Sequence, residues 1–127
     1  MHVLFADALA PAAAERLRAA GHDVTVDAAL DAAALSGALA DVDVLVVRST
    51  EVTAAALASS SRLALVVRAG AGTENIDTTS ASARGVHVCN VPGRNAVAVA
   101  ELTMGLLLAI DRHIADGTAD LRAGRWN

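Results

Sequence analysis

The chain has no lysine; all ten of its basic residues are arginine. Chemistry that needs a lysine of its own, a Schiff base or a Walker-type phosphate loop, is therefore excluded within these 127 residues. Cysteine is nearly absent as well. The single Cys89 cannot form an internal disulfide, and its setting, Val86-His87-Val88-Cys89, reads as a buried strand. Charge of either sign is sparse: 19% of residues are charged, the net charge is −4 and the pI is near 5.4. No electrostatic footprint for nucleic acid or an anionic membrane is present. The longest apolar run, Ala96 to Ile110, is broken by Glu101 and Thr103 and is shorter than the ~20 residues that span a bilayer. The amino terminus, Met1-His2-Val3-Leu4-Phe5-Ala6-Asp7, has neither a basic start nor a long apolar stretch, so a cytoplasmic protein is expected.

What the chain does have is apolar residues, 54% of the total, enough for one domain with a real core. They are arranged as short β-branched runs alternating with Ala-rich, Leu-spaced segments. The pattern predicts strands near 2–6, 23–26, 43–47, 63–67 and 86–89. Helices are expected near 11–20, opened by Pro11 and closed by Gly21, and near 31–40, started by Asp31. Further helices fall at 54–58 with Thr53 as cap, at 78–83, and over a long stretch from about 95 to 115. Alternation of this kind implies a parallel sheet with right-handed crossovers. At this length the expected architecture is a flavodoxin-like, doubly wound sheet in the order 2-1-3-4-5, with its switch point between strands 1 and 3. Ligands would then bind beyond the carboxyl ends of those strands. The last helix is apolar on nearly every side, and one five-stranded sheet cannot cover it, so a second domain or another subunit is expected there.

Few residues are placed to carry chemistry. Arg48-Ser49 follows the third strand, where a guanidinium and a hydroxyl can meet a carboxylate or phosphate. A surface Arg paired with a nearby Asp is the competing reading. Gly70-Ala71-Gly72 behind Arg68 is a fragment of a phosphate loop, but Asn75 stands where the dinucleotide fingerprint needs its third glycine. A tight turn explains that loop better. Asn95 opens the long helix and reads first as a plain cap. Glu101 reads as a structural carboxylate, and the four histidines (His2, His22, His87, His113) show no metal or triad spacing.

Four blocks, in order, change this picture. Asp43-Val44-Leu45-Val46-Val47-Arg48-Ser49-Thr50, Val67 to Asp77, Arg84 to Asn95, and Val99-Ala100-Glu101-Leu102-Thr103 resemble the D-isomer-specific 2-hydroxyacid dehydrogenases, most of all those acting on 3-phosphoglycerate. The tail Arg122-Ala123-Gly124-Arg125-Trp126 joins the match. Glu74, where that family usually has Asp, and Arg94, where it has a small or polar residue, are departures. The resemblance implies a substrate-binding lobe over 1–94, and over 95–127 the interlobe helix with the start of an NAD-binding lobe. It implies that Arg48 and Ser49 hold the distal anionic end of the substrate. The backbone of Ala69, Gly70 and Ala71 would meet its carboxylate, Ala71 would also lie near the nicotinamide, and Asn95 would face the cleft.

The same resemblance puts the Gly-rich NAD loop and the catalytic Arg, Glu and His beyond Asn127, so no catalytic residue is expected within this chain. It implies a small anionic hydroxy or keto acid as substrate, NAD as cofactor, and a homo-oligomer formed through the last helix and the further lobe. A receiver domain, which shares the sheet order, needs an acceptor Asp where Arg48 stands and a Lys the chain lacks. A non-catalytic anion-binding or dimerisation module of the same fold remains open.

Overall fold

A computed structural model describes residues 1–126. The chain forms two compact units, one from Met1 to Pro92 and one from Gly93 onward. In the first unit β1 (His2–Phe5), β2 (Asp23–Val26), β3 (Val44–Val47), β4 (Leu65–Arg68) and β5 (His87–Cys89) alternate with α1 (Pro11–Ala19), α2 (Ala32–Ala38), α3 (Ala54–Ala58) and α4 (Thr78–Ala83). All strand pairs are parallel and the order is β2-β1-β3-β4-β5, as the alternation predicts.

Two cores follow from the period of two along each strand. Leu4 and Ala6 of the first strand and its exit, Leu45 and Val47 of β3, and Val66 of β4 face one side. There they meet Leu35, Leu39, Ala56, Leu57 and Ala81 from the α2, α3 and α4 regions. Val3, Phe5, Val24 and Val46 face the other side and pack on Ala14 of α1, with Leu9 and Leu17 beside it. Helix starts are chemically specified. The Asp31 carboxylate accepts from the amides of Ala33 and Ala34, Thr53 Oγ1 from Ala56, and Asp77 from Ser80. After α1 the chain reverses through Gly21 at φ 85°, a left-handed conformation that a side chain would strain.

Cys89 departs from its expected burial. It is exposed, because β5 is a three-residue edge strand with only Val88 packed against a core. The third strand begins at Val44, and the fourth runs from Leu65 to Arg68.

The second unit is helical. The long helix predicted over 95–115 is α5 (Ala96–Asp111), and it stops at His113, whose φ of 50° is left-handed and breaks the hydrogen-bond ladder. A further helix, α6 (Ile114–Arg122), follows; sequence reading left that segment without an element. No residue of either helix is buried, and α5 exposes Val97, Leu102, Leu106, Leu107, Leu108 and Ile110. Among the described residues no helix is long and apolar enough to cross a membrane.

Candidate functional site at the carboxyl edge of the sheet

Adjacent β1 and β3 direct the chain over opposite faces of the sheet, α1 on one side and α3 on the other, and their exits meet at its carboxyl edge. Asp7, just after β1, is the organising group there. Its Oδ2 accepts the amides of three consecutive residues after β3: Arg48 at 2.6 Å, Ser49 at 3.1 Å and Thr50 at 3.1 Å. Thr50 Oγ1 donates back to the Ala6 carbonyl at 3.0 Å. Partial burial pushes the Asp7 carboxyl up. The amides of Arg48, Thr50 and Ser49 more than offset this, leaving it ionised below the ordinary aspartate range. Three convergent amides form an anion nest. Here the protein's own carboxylate fills it, so these three amides are not free for a ligand, and beyond β3 a ligand would be met by side chains.

Those side chains are available. Arg48 and Ser49 are exposed, and neither side chain hydrogen-bonds to another of the described residues. The neighbouring Arg68 is committed. It is the last residue of β4, opposite Val47 in the ladder, and its Nε donates to the Arg48 carbonyl at 3.1 Å. Its guanidinium also lies 3.7 Å from the Glu74 carboxylate, which is 74% exposed and so adds little. A side chain at Gly70 would run into that guanidinium, and one at Gly72 into the Glu74 carboxylate.

The 69–72 loop is strapped from several sides. The Ala69 amide donates to Val47 O (2.7 Å), Val91 N to Gly70 O (2.9 Å), and Asn90 Nδ2 to Ala71 O (2.6 Å). These contacts make the loop a braced turn. It does not fit a dinucleotide pyrophosphate: the space over both glycines belongs to Arg68 and Glu74, and the next helix, six-residue α4, starts only at Thr78.

Arg48, Ser49, Ala69, Gly70 and Ala71 thus share one edge, as their order in the sheet requires. Asn95 belongs to the second unit, where it starts α5 without a side-chain cap bond. Glu101 is exposed on α5. His2 is structural: its ring bonds Thr25 Oγ1 at 2.9 Å and the Asp41 carbonyl at 3.2 Å.

Sequence reasoning assigned no role to three contributors: Asp7, Arg68 as a strut, and Asn75. Asn75 Nδ2 donates to the Thr50 carbonyl at 2.8 Å, and the Asn75 main-chain carbonyl accepts from Val52 N at 2.8 Å, so the residue ties the two loops together. A cleft of about 290 Å³ beside it is edged by Glu51, Glu74 and Asp77, and that acidic rim is wrong for an anion. An Asp immediately after a buried strand at the switch point was the signal available for the first of the three.

Comparison with known proteins identifies the family. Residues 3–123 match the model of the D-isomer specific 2-hydroxyacid dehydrogenase catalytic domain. The chain belongs to that family. It is 51% identical over 87 residues to a hydroxypyruvate reductase of Thermotoga maritima, covering 68% of this chain and 28% of that protein. A D-3-phosphoglycerate dehydrogenase of Sus scrofa is 37% identical over 125 residues, 98% of this chain and 24% of that protein. The structure of NAD+-bound 3-phosphoglycerate dehydrogenase from Entamoeba histolytica superposes with a TM-score of 0.77 at 28% identity. That match covers 86% of this chain and 38% of that one. The chain thus spans about a quarter of the length of the curated relatives it matches.

As chemistry, the edge offers one exposed guanidinium with an adjacent hydroxyl, held on a braced strand end. A pair of this kind can meet a carboxylate or a phosphate. The dehydrogenase family works on small hydroxy and keto acids, and its structural relatives bind nicotinamide dinucleotides.

Proposed function

We propose that this chain is the substrate-binding lobe of an NAD-dependent dehydrogenase that moves a hydride between the cofactor and C2 of a D-2-hydroxy acid, with 3-phosphoglycerate as the acid. One observation carries the reading: Arg48, at the end of a buried strand, keeps its guanidinium exposed while its main chain is held on both sides. In this reading Arg48 and Ser49 receive the phosphate. The backbone of Ala69, Gly70 and Ala71 approaches the carboxylate, Ala71 borders the nicotinamide, and Asn95 faces the cleft. Residues 1–94 are the substrate lobe, and the segment from 95 begins the nucleotide lobe. The pyrophosphate site and the acid–base and carbonyl-polarising groups belong to residues beyond this chain. The apolar α5 is covered there, by the nucleotide lobe and a second subunit.

The test is Arg48→Ala in the complete enzyme. Loss of a charge-assisted hydrogen bond costs ~1.5–3 kcal/mol, so KM for 3-phosphoglycerate should rise roughly ten- to hundredfold while KM for NAD stays unchanged. An unchanged KM for 3-phosphoglycerate, with efficient reduction of hydroxypyruvate, overturns the phosphate assignment. The isolated 127 residues should show no turnover and no NAD binding by calorimetry, and micromolar NAD binding would contradict the division of labour between the lobes.

A further inference from the structure

We propose that Asp7 is a positioning residue for the substrate, a carboxylate that fixes the direction in which Arg48 and Ser49 leave β3. The inference rests on the reading that these two side chains meet the anionic acid. Arg48 is the first residue beyond the β3 strand, and a residue there is free to swing. Its peptide is nonetheless gripped at both ends: the amide by Asp7 Oδ2 at 2.6 Å, the carbonyl by Arg68 Nε at 3.1 Å. The next two amides converge on the same Asp7 oxygen at 3.1 Å each.

The grip has a second consequence. Three amides pointing at one spot would themselves attract a phosphate or carboxylate. Asp7 fills that spot with negative charge, repels a second anion from it, and leaves the guanidinium of Arg48 as the place where the substrate's charge is met. Asp7 thereby sets both where the cation points and where the anion cannot go. Gly70 is part of the same device, since a side chain there would displace the Arg68 guanidinium that holds the far side of the peptide.

The experiment uses the 127-residue chain, ¹⁵N-labelled, with 3-phosphoglycerate as the probe and amide shifts as the readout. In the wild type the amides of Arg48, Ser49 and Thr50 should exchange slowly for residues so near the surface; fast exchange at all three overturns the grip without any mutation. Asp7→Asn should weaken binding by about tenfold or more, yet change it less than about twofold in an Arg48→Ala background, because positioning has nothing left to position. Equal losses in both backgrounds, or wild-type affinity in Asp7→Asn, overturn the proposal. Asp7→Glu keeps the charge and displaces the oxygen by a methylene. It should fail to restore affinity, and full restoration would show that charge alone matters. Wild-type protein with protected amides and no affinity for 3-phosphoglycerate would overturn the substrate reading, leaving Asp7 a purely structural brace.

Discussion

The two units of this chain are both rich in apolar residues, and they use them in opposite ways. In the unit from Met1 to Pro92, Leu35, Leu39, Leu45, Leu57 and Val66 are completely buried between sheet and helices. In the helical unit α5 has one apolar residue after another and buries none of them; Leu102 is 63% exposed and Ile110 73%. Composition therefore does not make a core. A strand with period-two alternation, paired in a sheet, has two defined faces and finds cover locally, whereas a helix apolar all round needs cover on every side. The first unit carries its stability within itself, and the second carries a surface that calls for a neighbour.

Substitution of matched leucines is the strongest way to break this contrast. Leu57→Ala, in the core, should destabilise the chain by ~2–5 kcal/mol through lost burial and a residual cavity. Leu107→Ala on α5 should stay within ~0.5 kcal/mol, as surface changes do. Urea denaturation of both variants checks this. A core-sized loss at Leu107 would mean that α5 is covered after all.

Helix caps provide a smaller effect of the same kind. Asp31 and Thr53 each hold amides of the first turn, so Asp31→Ala or Thr53→Ala should cost ~0.5–2 kcal/mol. Asn95 makes no such bond, and Asn95→Ala should be close to neutral. Thermal melting of the three variants separates the outcomes. Equal losses at all three would show that Asn95 bonds its helix in solution.

Acid sharpens the comparison through carboxylates. The His2 amide, then Arg62, hold Asp43 below the ordinary aspartate range, and the amides of Arg48, Thr50 and Ser49 do the same for Asp7 against its partial burial. A depressed folded value means more protons bind to the unfolded state, so stability is fully present above about pH 4 and is lost as pH falls through the folded values. The urea midpoint of the wild type should fall across that interval. Asp43→Asn should start lower and flatten the fall, and an unchanged acid slope in Asp43→Asn would exclude its carboxylate as a contributor.

The smallest effect belongs to the second unit. Arg125 donates from Nε and a terminal nitrogen to Asp120 Oδ1 at 3.0 and 2.6 Å, but the pair is exposed. Arg125→Ala should change stability by no more than ~1 kcal/mol, less in high salt. A larger loss by urea denaturation would mark α6 as packed.

How much of this was legible beforehand varied with the range of the interaction. The sheet order was readable because β-branched runs at short, regular spacing leave few allowed connections. Asp31, Thr53 and Gly21 were readable because caps and left-handed turns are made by neighbours in sequence. The break at His113 was not, since a left-handed non-glycine has no strong local signature. The exposure of Cys89 was not either: the expected order already put the fifth strand at an edge, but which of its residues a core reaches is decided by packing.

At the site the division was sharper still. Arg48, Ser49 and the 69–72 loop stood out in the chain because each follows an apolar strand, and the exits of parallel strands share an edge. That much the sequence determined by itself. Asp7 lies 41 residues from Arg48, and Arg68 lies 20 residues from it on another strand. No local pattern records that one takes its amide and the other its carbonyl. Only the tertiary structure decided this, because a hydrogen bond between distant residues exists only once β1, β3 and β4 are in register.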